Sequence, residues 1–214
     1  MSAAQSSRSY GGRSVAERRA ERRARFLDAA LTVFADQSYA KSTISAICAE
    51  AGLSRRQFYE EFGGREEVLV ALYDQIHGEA GAAVAAAYDA EETDLWRAAA
   101  TVMTAYVTAV GTDARRAKIA FVEIVGVSDA VERHRLARRQ AWTTVFETLI
   151  SALVGPDVTP PGGYEMSATA FIGAVNGLAH QWTITDPRPP LTDLVEVLST
   201  ILVALVSERP PAAR

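Results

Sequence analysis

The sequence predicts an all-α protein with a small N-terminal three-helix domain and a larger helical C-terminal domain. Alanine, leucine and arginine are frequent, and apolar residues recur at the three- and four-residue spacing of amphipathic helices. Glycine and proline gather at a few places, as expected where helices end. The 214 residues, 49% of them hydrophobic, suffice to bury the cores of two such domains.

The start of the chain predicts a polar arm followed by a long helix. Residues 1–14 are rich in serine and glycine, a composition typical of a disordered segment. From 15 to 35, apolar residues recur on one helical face: Phe26, Ala29, Ala30, Val33 and Phe34. Residues 36–42 break this pattern, so the first helix is expected to end there.

Two short helices joined by a tight turn are predicted next. Thr43, or Ser42 before it, is suited to cap a helix that ends at Gly52, and glycine tolerates the left-handed conformation of a turn. Ser54 is suited to cap a third helix at 55–62. This order is typical of a helix-turn-helix, and residues 15–64 are therefore expected to form a DNA-binding domain.

The third helix carries the side chains expected to read DNA. Phe58 and Phe62 are four residues apart and would anchor the helix from below. Arginine fits the edge of guanine and glutamine that of adenine, so Arg55, Arg56 and Gln57 are predicted to contact bases. The other predicted DNA-binding residues from this region are Lys41, Ser42, Thr43, Ser54 and Tyr59, of which all but Ser54 are assigned to the DNA backbone.

Charge is distributed unevenly along the chain. Residues 1–65 hold 11 Lys and Arg against 7 Asp and Glu, whereas the remaining residues hold 11 against 19, and the whole chain carries −4. A basic N-terminal region followed by an acidic C-terminal region is typical of a small DNA-binding domain attached to a domain that avoids DNA. The alternative is a solvated charged segment.

The C-terminal domain, residues 65–214, predicts further helices. A fourth helix is expected to begin at Arg65, since two glutamates follow in its first turn. The remaining helices are expected at 78–90, 94–110, 113–125, 130–153, 164–185 and 191–207. No internal repeat is present in the sequence.

Several functional classes find no support in the sequence. No apolar run approaches the roughly 20 residues that span a bilayer, and the polar start is unlike a secretion signal, so a cytoplasmic protein without membrane contact is expected. Cys48 is the single cysteine, and His77, His134 and His180 are isolated and expected to be structural or on the surface. No catalytic constellation stands out, so no enzymatic activity, metal or cofactor is predicted.

Many spaced features coincide in residues 26–72. They are Tyr39, Ser42-Thr43-Ile44, Ile47, Ala51-Gly52-Leu53-Ser54, Phe58-Tyr59 and Phe62. This combination resembles the TetR family of transcription regulators, and residues 171–206 are similar to that family's last two helices. The resemblance implies a homodimer that binds a palindromic operator in double-stranded DNA and releases it when a small molecule enters the second domain.

The resemblance also bears on single residues. It implies contacts to the DNA backbone from the positions of Lys41, Thr43, Tyr59 and Arg65. Ser38 departs from the family's pattern because glycine is common there, and Glu61 departs because histidine or tyrosine is usual. A carboxylate facing phosphate would be repulsive, so either one backbone contact is missing or Glu61 turns away.

Seven arginines lie in or before the first helix, and two interpretations of them stay open. They are Arg8, Arg13, Arg18, Arg19, Arg22, Arg23 and Arg25. As an arm opening into a helix they would enter a minor groove of DNA. As a solvated helix face they would be balanced by Glu17 and Glu21.

A small-molecule effector site is predicted in the C-terminal domain. The candidate lining residues are Trp96, Tyr106, Glu123, Trp142, Phe146 and Asn176. Glu123 is an acid within an apolar helical segment, so burial there requires a partner. It would either orient an effector, pair internally with an arginine, or lie on an exposed face.

The last two helices are predicted to form the dimer interface. The helix at 164–185 offers a face of small residues: Ala170, Ala174, Gly177 and Leu178. The helix at 191–207 offers a wide apolar stripe: Leu194, Val197, Leu198, Ile201, Leu202 and Leu205. Two other functions stay open beside that of a ligand-responsive regulator. A helical enzyme with a basic head would need a catalytic constellation, and a constitutive DNA-binding or adaptor protein would need no cavity.

Overall fold

The computed structural model describes residues 14–155 and 158–207, and throughout this part of the chain the regular elements are helical. The all-α prediction is therefore confirmed. The predicted arm lies outside the described residues except for Ser14, which caps the first helix. The helices are α1 (Val15–Gln37), α2 (Ile44–Ala51), α3 (Arg55–Glu61), α4 (Arg65–Ala87), α5 (Leu95–Gly111), α6 (Ala114–Lys118), a π-helix (Ile119–Glu123), α7 (Asp129–Val154), α8 (Gly163–Ile184) and α9 (Leu191–Val206).

An aromatic cluster holds α1, α2 and α3 together; these helices are called the head below. Phe26 of α1 is fully buried and meets Phe58 edge to face, with 5.4 Å between ring centroids. Its ring also lies 6.3 Å from that of Phe62, the residue that ends α3. Such aromatic pairs add about 0.5–1.5 kcal/mol to the gain from burial. These contacts fix α3 against α1 through the two predicted phenylalanines.

Hydrogen-bonding caps define the two short helices. The side chain of Thr43 accepts from the backbone N–H of Ala46, which settles the open choice between Ser42 and Thr43. Gly52 ends α2 with φ of 61°, the left-handed conformation that glycine adopts without steric cost. Because helices of seven or eight residues are not stable alone, caps and buried rings must define α3.

Helix α4 is one continuous helix of 23 residues, which corrects the prediction of a separate helix at 78–90. Gly78 disfavours helix by about 1 kcal/mol relative to alanine. Ile76 and Ala80 on either side of it are buried in the core, and this packing outweighs the local preference. Helices α4 to α9 with the π-helix are called the body below. At 1.5 Å per residue α4 is about 34 Å long and runs from the head deep into the body.

The predicted helix at 113–125 is divided in the structure. Helix α6 passes directly into the π-helix, whose hydrogen bonds join residues five apart. This wider turn brings Lys118 and Glu123 to the same side, with 3.5 Å between the ammonium nitrogen and a carboxylate oxygen. An α-helix would separate two residues at this spacing.

The apolar stripe of α9 is shared between the core and the outer surface. Leu194, Leu198 and Leu202 are buried inside the chain, where α9 packs on α5. The other members, Val197, Ile201 and Leu205, are exposed or half-buried. The prediction that the whole stripe serves a dimer is therefore wrong, and only its outer half is available to a second chain.

Candidate DNA-binding head and ligand cavity

The outer face of α3 exposes three of the predicted DNA-binding residues, and a fourth lies before α2. Arg55, Arg56 and Tyr59 are exposed on α3, and Lys41 is exposed in the preceding loop. Arg56 donates to Glu60 at 3.3 Å, but its side chain is 90% exposed. An ion pair in this setting contributes little, so Arg56 is free to leave it for DNA.

Gln57 and Ser54 use their side chains to start α3. The Gln57 carbonyl oxygen accepts from the backbone N–H of Ser54 at 2.9 Å, and the Ser54 hydroxyl accepts from the backbone N–H of Gln57 at 3.3 Å. This reciprocal capping box satisfies two backbone donors. A base contact by Gln57 therefore stays a prediction and would compete with the cap.

Ser42 and Arg65 position the loop before α2. Ser42 is buried, and its hydroxyl donates to the Tyr39 carbonyl at 2.7 Å. The Arg65 guanidinium donates to the Tyr39 carbonyl at 2.8 Å and to both the carbonyl and hydroxyl oxygens of Ser42, and it lies 4.9 Å from the Tyr39 ring centroid. Both residues were predicted to touch the DNA backbone, yet the structure gives them internal partners that tie α4 to the head. Thr43 is exposed while its hydroxyl caps α2.

Glu61 turns away from the predicted DNA surface. Its side chain is 1% exposed and accepts from Arg19 at 3.0 Å and Arg22 at 2.9 Å. Burial alone would raise the pKa of this carboxyl, but hydrogen bonds and charge from the two arginines lower it below its ordinary value. Of the two outcomes left open by the sequence, the structure shows the second.

The arginines of α1 contact the head itself. The Arg23 guanidinium donates to the Glu61 carbonyl at 3.1 Å and lies 4.2 Å from the centroid of the Phe62 ring, and Arg25 donates to the Ala51 carbonyl at 2.6 Å. Neither predicted interpretation included these partners. Arg8 and Arg13 lie outside the described residues.

Glu123 joins the body to the head instead of facing an effector. One carboxylate oxygen accepts from the backbone N–H of Tyr39 at 2.7 Å, and the other pairs with Lys118. Lys118 also donates to the Ala35 carbonyl at the end of α1. The effector role predicted for Glu123 is wrong, and the alternative of an internal ion pair is right, with a lysine in place of the expected arginine.

A cavity of about 430 Å³ opens within the body between α4, α5, α7, α8 and α9. This volume falls in the range of small-molecule sites, roughly 300–1,000 Å³. Four predicted residues line it: Tyr106, Trp142, Phe146 and Asn176. Trp96 does not, because it lies near the start of α5 with its side chain half exposed in a separate shallow groove against α9.

His77 is one of the cavity residues that sequence reasoning missed. It is 5% exposed, lines the cavity from α4, and neither ring nitrogen has a hydrogen-bond partner among the described residues. Burial lowers the pKa of His77 to about 4, so the imidazole is neutral at pH 7. Tyr73 packs on it with 4.4 Å between ring centroids. An isolated histidine in the sequence gave no signal of this environment.

Residues 14–155 and 158–207 contain neither a metal site nor a helix suited to span a membrane. No group of three or more metal-ligating side chains is arranged to hold an ion there, and none of the helices combines the length and hydropathy needed to cross a membrane. Cys48 is buried at the crossing of α2 with its neighbours, and burial raises the pKa of its thiol. It therefore acts as a packing residue.

Residues 26–72 match the family model described as bacterial regulatory proteins, tetR family. This stretch of the chain is therefore similar to the tetR family. The match begins within α1 and ends within α4, so it spans the entire helix-turn-helix of this TetR-type head, and the resemblance seen in the sequence is confirmed. No curated protein matches the sequence.

Solved structures similar to the chain extend this likeness beyond the TetR-type head. The fatty acid degradation regulator FadR from Bacillus halodurans has a TM-score of 0.76 at 17% identity, covering 88% of this chain and 97% of its own. FadR from Bacillus subtilis, in complex with stearoyl-CoA, has a TM-score of 0.73 at 15% identity, covering 86% and 99%. The multidrug binding protein EbrR, complexed with imidazole, has a TM-score of 0.63 at 18% identity, covering 90% and 98%. The body thus shares the fold of these regulators.

Proposed function

We propose that the protein is a ligand-responsive transcription repressor that binds a palindromic operator as a dimer and is released by a small molecule. The observation that carries this proposal is the cavity of about 430 Å³, bordered by the same helix that begins at the head. Similar structures that hold stearoyl-CoA or imidazole support a ligand in the body. The TetR-type head supports DNA as the other partner.

Helix α4 supplies a physical route between the two sites. Arg65 at its start holds the Tyr39–Ser42 loop, and His77, twelve residues on, lines the cavity about 18 Å away along the axis. A ligand that displaces α4 at His77 would tilt its first turn and move the head. Coupling between sites in such proteins is typically about 1–3 kcal/mol.

A two-fold dimer through α8 and the outer half of α9 would set the spacing of the two recognition helices. Adjacent major grooves on one side of DNA lie roughly 34–36 Å apart. Gly177 is exposed on α8, and an added side chain there meets no atom of its own chain. Gly177→Arg should therefore yield monomers in analytical ultracentrifugation, while Gly78→Arg, equally unobstructed on α4, should leave the dimer intact. A dimer that survives Gly177→Arg would refute this interface.

The central experiment is selection of duplex DNA from a random pool with the purified protein, followed by a screen for compounds that release the selected site. We expect a palindromic sequence and at least one compound that lowers operator affinity by about fivefold or more. A protein that selects no sequence in low salt would refute DNA recognition. A tight ligand that leaves operator affinity unchanged would refute the response.

Two substitutions separate base reading from backbone contact. Arg56→Ala should relax sequence preference at one position, worth about 1–3 kcal/mol of discrimination, because arginine reads a base edge. Lys41→Ala should weaken binding to every sequence alike and reduce the salt dependence. Selections with both variants test this division, which fails if the two variants behave alike.

The cavity also separates the regulator from its alternative. A constitutive DNA-binding or adaptor protein would use the body only to dimerise, and a solid core would serve that purpose. An opening of this size lined by aromatic rings and a few polar groups favours a ligand. Its position by His77, away from Glu123, differs from the position expected from the sequence.

A further inference from the structure

The wall that α7 contributes to the cavity changes from charged to apolar along its length. Near the start of the helix three of the four lining residues are charged, Glu132, Arg135 and Arg139, and the fourth is Leu136. From Trp142 onward they are apolar: Val145, Phe146, Leu149 and Ile150. From Arg139 to Ile150 the helix rises about 16 Å. The cavity is therefore an elongated site with one polar end and one apolar end.

Helix α4 runs beside α7 in the same direction and places His77 where the character of the wall changes. Tyr73 lies beside His134, with 6.4 Å between ring centroids, and His77 lies beside Trp142, also at 6.4 Å. A Cβ on Gly81, one turn further, would lie 3.9 Å from Trp142. His77 thus stands level with the boundary between the charged and the apolar segments.

The polar end has more positive than negative charge. Arg135 is paired with Glu132 at 2.7 Å, so these two charges offset each other. Within the described residues, Arg139 is bonded only to the Thr169 carbonyl, at 2.9 Å, and has no carboxylate partner. A guanidinium in this position offers paired N–H donors, which match a carboxylate or phosphate.

The His77 ring adds a second polar group to the site. Both of its nitrogens are buried without a partner, although buried polar groups in folded proteins are nearly always hydrogen-bonded. A ligand oxygen placed against the ring would supply the missing partner. The rings of Tyr106, Trp142 and Phe146 offer apolar surface in the same cavity.

We propose that the effector is an amphipathic organic anion whose acidic group binds Arg139 and whose apolar tail lies along α7 toward Ile150. An oxygen at or beside the acidic group accepts a hydrogen bond from His77. This inference rests on the proposed function, because it names the chemistry of the effector that such a regulator would sense.

Direct binding to the full chain tests this chemistry without DNA. The probes are dodecanoate, hexadecanoate and dodecyltrimethylammonium below their micelle concentrations. Binding is followed by calorimetry and by tryptophan emission, to which Trp142 in the cavity wall contributes. At least one carboxylate should bind ten times more tightly than the cation. Arg139→Gln should lower carboxylate affinity about tenfold and remove this preference. Arg133→Gln, exposed on the same helix and outside the cavity lining, should change neither value.

His77→Phe separates the hydrogen bond from the shape of the site. A flat aromatic ring is kept, slightly larger than imidazole, and the N–H donor is lost, so carboxylate affinity should fall about five- to tenfold while cation affinity stays unchanged. Melting temperatures of all variants check that they fold. Carboxylates that fail to bind, a cation that binds equally well, or an Arg139→Gln protein that keeps its preference would overturn the proposal.

Operator binding is measured in a separate titration on the selected DNA. A protein that binds carboxylates at Arg139 but never binds duplex DNA would refute the proposed function and leave the ligand chemistry standing. A protein that binds its operator but prefers the cation would refute the ligand chemistry alone. Release of the operator by the tighter carboxylate, reduced in Arg139→Gln, would support both.

Discussion

The buried Glu61 of the head and the buried His77 of the body differ in whether their polar atoms have partners. In the head, the buried Glu61 carboxylate is bonded to two arginines, and Arg65 fills three acceptors of the adjoining loop. In the body, the equally buried His77 has no hydrogen-bond partner among the residues that the structure describes, and it borders an opening of about 430 Å³. The Glu61 carboxylate is therefore held in place by its partners, whereas the His77 ring keeps hydrogen-bonding capacity beside an open space.

The largest expected effect contrasts packing in the two regions. Phe58→Ala should lower the free energy of unfolding by about 3–5 kcal/mol, because this fully buried ring contacts three other rings. Phe146→Ala should cost less, since one side of that ring already faces the cavity. Denaturant unfolding followed by circular dichroism measures both losses. Equal losses at Phe58 and Phe146 would contradict the contrast.

The second effect concerns how the free energy of unfolding depends on pH through the buried imidazole of His77. Because the pKa of His77 falls from 6.5 to about 4 on folding, the unfolded chain binds more protons between these values. The stability that depends on a neutral His77 is fully present above pH 6.5. It is lost as the pH falls toward 4, which lowers the free energy of unfolding by about 3 kcal/mol in all. His77→Phe should therefore flatten the pH dependence of unfolding in this window. Parallel curves for the two proteins would exclude a buried neutral His77.

The third effect compares neighbouring glutamates on α3. Glu61→Gln should lower the free energy of unfolding by about 2 kcal/mol, because it weakens charge-assisted hydrogen bonds to Arg19 and Arg22. Glu60→Gln loses only an exposed pair and should cost less than about 0.5 kcal/mol. Thermal unfolding of both variants decides the matter, and similar losses would show that Glu61 is not a structural partner of α1.

The smallest expected effect lies in the loop between α1 and α2, where the Tyr39 N–H donates to Glu123 of the body. Ser38 has φ of 66°, a left-handed value that strains a side-chain-bearing residue. Ser38→Gly should relieve this strain and, after the entropy cost of glycine, raise the free energy of unfolding by about 1 kcal/mol. Ser45→Gly, within α2, should instead lower it by about 0.5 kcal/mol. A destabilised Ser38→Gly variant would refute strain at this position.

The sequence predicted the head well because its signals are local. Caps such as Thr43 and Ser54, the glycine of the turn and the spacing of Phe58 and Phe62 are all set by neighbours within a few residues. Even the glycine usual at position 38 in the resembling family agrees with the positive φ found there.

The body resisted prediction because its features join distant parts of the chain. Glu123 bonds to Tyr39 across 84 residues, and the cavity arises where five helices fail to fill the space between them. Periodicity locates the buried face of a helix but does not show which neighbour covers it. For that reason Leu194, Leu198 and Leu202 were assigned to a second chain although α5 covers them.

The arginines that brace α1 against its neighbours have a consequence for measurements at different ionic strengths. Arg19, Arg22, Arg23 and Arg25 are bonded within the head, so its basic composition overstates the number of phosphates it meets. Each phosphate neutralised adds about 0.9 to the slope of log affinity against log salt concentration. Affinity for non-operator DNA should accordingly be modest, leaving recognition to depend on the few exposed residues of a single short helix.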